Sequence, residues 1–268
     1  MITYRNLGRH GRLGNQLFQI ASTIGIALDH SDAAVFPADW VYRPFFSFPD
    51  IMFMDEIPHT ARESTEFAQH LDPRARPYLQ DISLFWNHIY PLRYYLQPSA
   101  RAIDTLVEMK IPNCPRIGIH VRRGDNVVDP GVPNKSDYHL CPSLDYYQRG
   151  LKELAPVAFS NSSYICVSDD IPWCKENIYA DYYGEGTAMP KEHEPTFLST
   201  VPRDWIDLFT LTACDYLVIS GSTFGIWGAL MANTPHVVRP DKIYGPIVAA
   251  YTDSELIFPK EWKVIPCS

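Results

Sequence analysis

The sequence predicts an α/β protein built from parallel sheets in two lobes, and three observations carry that prediction. Short apolar runs alternate with amphipathic helical runs along most of the chain, the pattern of strands covered by helices. The 268 residues suffice for one large domain or two small ones with proper cores. An aromatic, irregular stretch over 40–110 breaks the alternation and separates a first set of elements from a more regular second set. The boundary falls within 85–116; we draw the lobes as 1–110 and 111–268.

The elements follow in chain order. Residues about 2–5 form a short strand. "GNQLFQIASTIGIALDH" reads as a helix with Leu17, Ile20, Ala21, Ile24 and Leu28 on one face. "AAVF" is a strand, and helices are expected near 60–71 and 98–108. In the second half "IGIHV" is a strand in which Ile117, Ile119 and Val121 alternate with smaller or polar residues. "SLDYYQRGLKEL" is a helix capped by Ser143. Then come a strand "YICVS", a helix starting at "IPWCKENI", a helix "DWIDLFTLTA" and a strand "DYLVIS". A helix "TFGIWGALMA" and a final strand "HVVRP" complete the series. The 23 prolines lie mostly between these segments and punctuate loops.

Composition narrows the function classes. A net charge of -8 argues against a nucleic-acid partner, which favours a basic surplus. Any anion site must therefore concentrate cations locally. No apolar run is long enough for a membrane span, and the N-terminus lacks the apolar core of a signal peptide. The expected location is the cytoplasm, or a peripheral place at a membrane reached through the acceptor. The six cysteines form no Cys-x-x-Cys and read as reduced core thiols. Without a secretion signal, the sequons at Asn134 and Asn161 carry no weight.

Four stretches could carry chemistry. In "RIGIHVRRGD", period two puts Gly118, His120 and Arg122 on one strand face, and Arg123 points away or begins the loop. Ligands of open α/β sheets bind beyond the carboxyl ends of strands, and arginine binds phosphate oxygens bidentately. Arg122 and Arg123 thus make a pyrophosphate clamp; the alternative is a structural pair of Arg123 with Asp125. In "GRHGRLGNQLFQ", Gly8, Gly11 and Gly14 precede a helix that Asn15 would cap, with amides facing an anion or simply ending a turn. In "DYLVISGSTFGIWGALM", Ser222 and Thr223 lead into a helix, as a second phosphate site or as an ordinary cap. In "VSDDIPWCKEN", Asp169 and Asp170 form either a metal-binding pair or, the reading we favour, a cap ahead of Pro172. Glu192-His193-Glu194 is too loop-like for a metal site.

Together "GRLGNQLFQIA", "HVRRGD", "VSDDIPWCKENI" and "SGSTFGIWGALM" resemble, in order, the motifs of the α-1,2-fucosyltransferases of glycosyltransferase family 11. The likeness runs from about residue 8 to 232. It implies two Rossmann-like lobes in a GT-B architecture, with the acceptor side in the first lobe and the nucleotide in the second. It implies inverting transfer of fucose from GDP-fucose to O2 of a terminal galactose in a glycan, with no metal and no cofactor. By this resemblance Arg122 meets the β-phosphate, His120 lies near guanine, and Asp207 pairs with guanine. Ser222 and Thr223, followed by Phe224, lie near the phosphates with Arg123, and Asn15 lies near the phosphates and fucose. Asp125 is the candidate for the catalytic base, or else orients an arginine.

The chain departs from the family pattern at Arg12, which stands where a second glycine is usual and which is similar to the G-R-F-G-N-Q of protein O-fucosyltransferases. Ser220-Gly221-Ser222-Thr223 also differs from N-S-S. These departures keep another fucose linkage open, including a peptide hydroxyl acceptor. A noncatalytic GDP-sugar or glycan-binding protein is the rival from another class. Trp40, Tyr42, Phe45, Phe46, Trp86 and Tyr90 either stack on acceptor sugars or form the core of a small lobe.

Overall fold

A computed structural model describes residues 1–109, 111, 113–124, 127, 137–158, 162–182, 196–198 and 204–267, without the side chains of 179–182 and 196–198. The chain forms two compact units. The first comprises Met1–Met109 with Tyr251–Pro259, the second Lys110–Ala250 with Lys260–Ser268.

The first unit is built on a four-stranded parallel sheet. Its strands are β1 (Ile2–Thr3), β2 (Ala34–Pro37), β3 (Phe53–Met54) and β4 (Arg62–Glu63), in the order β3-β2-β1-β4. Helix α1 (Leu13–Asp29) joins β1 to β2. It is buried on nearly all sides, so its apolar face is wider than a stripe. Gln16, Gln19, Ser22 and Thr23 are enclosed as well. They bond outward: Ser22 donates to the Leu79 carbonyl at 3.0 Å and Thr23 to the Ser64 hydroxyl at 2.9 Å. Burial of hydroxyls is tolerable only with such partners. Leu28, expected on the inner face, is 42% exposed, because α1 has nearly ended there.

Two other expectations need correction. The helix near 60–71 is absent: β4 and a single 3-10 turn, Ser64–Glu66, occupy that region. The helix near 98–108 is present as α3 (Ala100–Glu108), capped by Ser99, and follows α2 (Ile89–Tyr95). Of the six aromatic residues only Trp40 and Phe46 are core; Tyr42, Phe45 and Trp86 are partly exposed and Tyr90 is exposed. Trp40 is 2% exposed and stacks on Phe46 and Phe53 at 5.6 and 6.2 Å.

The second unit carries a six-stranded parallel sheet. It contains β5 (Arg116–Val121), β6 (Ser163–Ser168), β7 (Thr196–Leu198), β8 (Tyr216–Ile219), β9 (Val237–Pro240) and β10 (Lys263–Ile265). The order is β7-β6-β5-β8-β9-β10, which is the doubly wound Rossmann order. "HVVRP" is therefore not the final strand; β10 lies beyond it at the sheet edge. The helices are α4 (Leu144–Leu154), α5 (Ile171–Tyr182), α6 (Asp204–Thr212), α7 (Thr223–Ala232) and α8 (Pro246–Ala249). Ser143 caps α4, accepting from the Tyr146 amide as its motif predicts. No described helix is long and apolar enough to cross a membrane.

Candidate functional site

The topology fixes where a ligand would bind. In the Rossmann order the strand sequence reverses between β5 and β8, and ligands bind beyond the carboxyl ends of strands at that switch point. β5 ends at Val121 and hands the chain to Arg122 and Arg123. β8 ends at Ile219 and hands it to Ser220, Gly221, Ser222 and Thr223. His120 pairs in register with Ile219, so the two motifs leave the sheet side by side.

His120 is the floor of this arrangement. Its carbonyl accepts from the Ser220 amide at 3.0 Å, and its Nδ1 lies 2.8 Å from the Ser220 hydroxyl. Its ring packs against Phe224 with centroids 5.5 Å apart. A side chain at Gly225 would have its Cβ 2.4 Å from Nδ1, so only glycine lets α7 approach this closely. Burial drives the imidazole pKa down to about 4, although the nearby Asp169 carboxylate opposes the shift. His120 is therefore neutral at physiological pH and acts as a hydrogen-bonding and packing group, not a cation.

Helix α7 begins beside it. Ser222 is the N-cap, and its hydroxyl accepts from the Phe224 amide at 3.3 Å. Thr223 opens the helix, and both residues are partly exposed. The cap thus exists, and the Ser222 and Thr223 backbone stands at the positive end of a ten-residue helix dipole. Behind it, Tyr146 on α4 donates to the Ile219 carbonyl at 2.6 Å and pins the end of β8. Asp207 lies in the first turn of α6 and is 6% exposed. α6 packs on α7, where a Cβ at Gly228 would come within 2.8 Å of Leu211.

The two arginines are held by residues that the sequence reading did not join to them. Arg122 Nη1 donates to Asp169 Oδ2 in a short ion pair, and the Arg123 amide donates to Asp169 Oδ1 at 2.9 Å. Arg123 Nε donates to Asp170 Oδ2 at 3.0 Å, and its guanidinium lies 4.0 Å over the Trp173 ring. Asp170 also caps α5, accepting from the Trp173 amide at 3.2 Å, as the cap reading expects. The only signal for this grouping was the proximity of two motifs to the ends of strands that turn out to be neighbours. Asp125 lies outside the described residues, as do Glu192-His193-Glu194 and the sequon residues Asn134 and Asn161.

In the first unit Asn15 sits in the first turn of α1, not at its cap. The helix starts at Leu13 with Arg12 as N-cap, because Gly8 and Gly11, at φ of 82° and 74°, complete the turn earlier than Gly14 would. Asn15 accepts from Gln80 at 2.9 Å. A surface pocket of about 470 Å³ opens after the carboxyl end of β2. It is lined by Asp39, Trp40, Arg43, Phe46, Phe48 and Asp50, among others. The Trp40 indole N–H donates to Gln16 Oε1 at 2.8 Å, and Arg9 pairs with Asp39 at 3.2 Å, tying the pocket to the glycine motif. All six cysteines are free thiols. Four are buried, but Cys114 and Cys141 are half-exposed and are not core residues.

Two parallel α/β units, with arginines, hydroxyls and a helix start at the switch point of one, define the class: a protein of GT-B architecture. The chain belongs to glycosyl transferase family 11, whose family model matches residues 54–265. It is 28% identical over 253 residues to a galactoside alpha-(1,2)-fucosyltransferase 1 of Homo sapiens, covering 84% of this chain and 64% of that protein. The same-named protein of Alouatta belzebul is 28% identical over 257 residues, with 83% and 64% covered. The chain thus spans 64% of the length of these relatives. Its fold is similar to that of an Arabidopsis thaliana FUT1 mutant in complex with GDP. The TM-score is 0.56 at 12% identity, with 89% of this chain and 69% of that one covered.

Proposed function

We propose that the protein transfers fucose from GDP-fucose to O2 of a terminal galactose in a glycan, with inversion and without a metal ion. The observation that carries this is the joining of the H-V-R-R-G and S-G-S-T motifs at the β5–β8 switch point, in a member of this family. Departure of GDP leaves extra negative charge on the β-phosphate. Arg122, fixed beforehand, gains interaction as that charge grows, which is transition-state binding rather than substrate binding. The guanidinium supplies what a divalent ion supplies elsewhere. Arg123, Ser222 and Thr223 surround the same phosphates, and Phe224 and His120 form the neutral wall near guanine. Asp207 accepts N1–H and N2–H of guanine, an edge adenine lacks. Asp125 takes the acceptor proton.

The relatives named galactoside alpha-(1,2)-fucosyltransferase support the linkage. We assign the acceptor to the first unit, where the pocket after β2 offers an aromatic floor and a charged rim. The decisive experiment incubates the protein with GDP-fucose and a panel of galactose-terminated glycans and folded peptide domains. Mass and NMR then identify the product, its linkage and its anomeric configuration. We expect a 2-linked fucosyl galactose, inverted relative to the donor, formed at the same rate in EDTA. A fucosylated peptide hydroxyl would instead favour the reading that Arg12 keeps open. Release of no GDP with any acceptor would make the protein a binding module.

A further inference from the structure

We infer that Asp169 is a positioning residue: it holds Arg122 and Arg123 at the end of β5, so that the R-R-G turn and the S-D-D turn work as one unit. The inference rests on the proposed contact of Arg122 with the donor diphosphate. Strands β5 and β6 end level, Val121 opposite Ser168, which places the turn after one beside the turn after the other. The two oxygens of a single carboxylate then divide between them the side chain of Arg122 and the backbone N–H of Arg123. Asp169 therefore fixes both where the guanidinium points and how the chain leaves the strand.

The neighbours are built around this contact. A Cβ at Gly124 would lie 2.4 Å from Asp169 Oδ2 and 3.3 Å from Arg122 Nη1, so glycine is what admits the carboxylate. The helix that follows does not need Asp169, because Asp170 caps it. Net stability is a weak explanation too: the Arg122 and Asp169 side chains keep only 14% and 20% of their exposure, and the desolvation of such a pair offsets much of its Coulomb gain. Preordering is a stronger one. Arginine has many rotamers, and a guanidinium fixed before the substrate arrives does not have to be ordered in the transition state.

Charge sharpens the test. Arg122, Arg123, Asp169 and Asp170 sum to zero, so the cluster acts on a diphosphate through directed N–H groups more than through net attraction. Asp169→Asn adds one positive charge while releasing Arg122. It should leave GDP affinity close to that of the wild type but lower kcat on the order of 10-fold to 100-fold. Asp169→Glu, which keeps the charge, should retain more turnover. In an Arg122→Gln background Asp169→Asn should cost much less than in the wild type, because only its bond to the Arg123 amide is then left to lose. Phenylglyoxal labelling of Arg122, followed by mass spectrometry, reads the positioning without reference to activity. It should be slow in the wild type and severalfold faster in Asp169→Asn, at an unchanged circular dichroism spectrum. Should Asp169→Asn fail to fold, the labelling comparison is made with Asp169→Glu, whose longer arm should also loosen Arg122. A wild-type labelling rate in the variant, or a full loss of kcat persisting in the Arg122→Gln background, overturns the inference. A wild-type protein that labels as expected but transfers no fucose sinks the donor assignment alone.

Discussion

Arg122 is the residue on which the proposed chemistry turns. Lysine preserves its charge but not its planar donor fork, and its shorter reach cannot span Asp169 and a phosphate alike. Arg122→Lys should therefore lower kcat by roughly 10²–10³ while the melting temperature changes little. A variant with near-wild-type turnover would remove Arg122 from its role. His120 makes a different prediction, about stability. Folded, it titrates near 4, against 6.5 for an unperturbed imidazole. Between those values the unfolded chain holds a proton that the folded one does not, so this contribution is complete above the upper value and is lost as pH falls toward the lower. The slope is up to about 1.4 kcal/mol per pH unit. Melting curves from pH 7.5 to 4.5 should show that extra slope in the wild type and lose it in His120→Gln; parallel slopes would refute the assignment. At this scale the sequence was readable for residues that end a strand or open a helix, such as Arg122 and Ser222. It was silent on the pairing of Asp169 with Arg122, 47 positions away, because a carboxylate's partner is set by strand neighbours that periodicity does not reveal.

Among elements, length decided what could be read beforehand. β5, β6 and β8 have four to six residues and carry a clear apolar pattern. β3 and β4 have two each, and period two has no meaning over two residues. β10, Lys263–Ile265, is a three-residue edge strand with two of its three residues exposed, and looks like loop. The start of α1 was misplaced because Gly14 drew attention from Gly11, whose positive φ actually makes the turn. α1 also contains a glycine that propensity alone would replace. In an exposed helix Gly→Ala gains about 1 kcal/mol. A Cβ at Gly25, however, would stand 2.1 Å from the Leu84 carbonyl oxygen and 2.7 Å from the Phe85 Cα. Those are backbone atoms that no rotamer change can move. Phe85 is fully buried against Phe18. Gly25→Ala should therefore destabilise the protein, by about 1–3 kcal/mol net, as overpacking does. A lower urea midpoint checks it, and an unchanged or raised midpoint would show that the α1 contact is looser than described.

For the whole chain, the path of the backbone matters more than any single contact. The last eighteen residues do not belong to one unit: Tyr251–Pro259 completes the first and Lys260–Ser268 the second. In the first unit the Arg74 guanidinium lies 4.0 Å over Tyr251, the turn Ser254–Ile257 packs on the turn Ile82–Leu84, and Ile257 and Phe258 are fully buried. In the second, β10 pairs with β9, and the Cys267 carbonyl accepts from the Ser143 amide at 3.0 Å, next to the α4 cap. Arg149 on α4 donates to the Pro266 carbonyl at 2.9 Å, and the Cys267 amide donates to Asp241 at 2.9 Å. Two truncations should then behave differently. Removal of 260–268 should speed hydrogen exchange in β9 and α4 and leave the turn Ile82–Leu84 protected, because only the second unit loses contacts. Removal of 251–268 should expose both regions, since Ile257 and Phe258 leave a cavity in the first unit as well. α4 holds the end of β8 through Tyr146, so the shorter deletion should also weaken GDP binding although it touches no proposed ligand residue. Retention of wild-type GDP affinity after loss of 260–268 would mean that β8 and its Ser220–Thr223 turn are held in place without β10. The sequence reading that ended the sheet at "HVVRP" would then be functionally adequate after all.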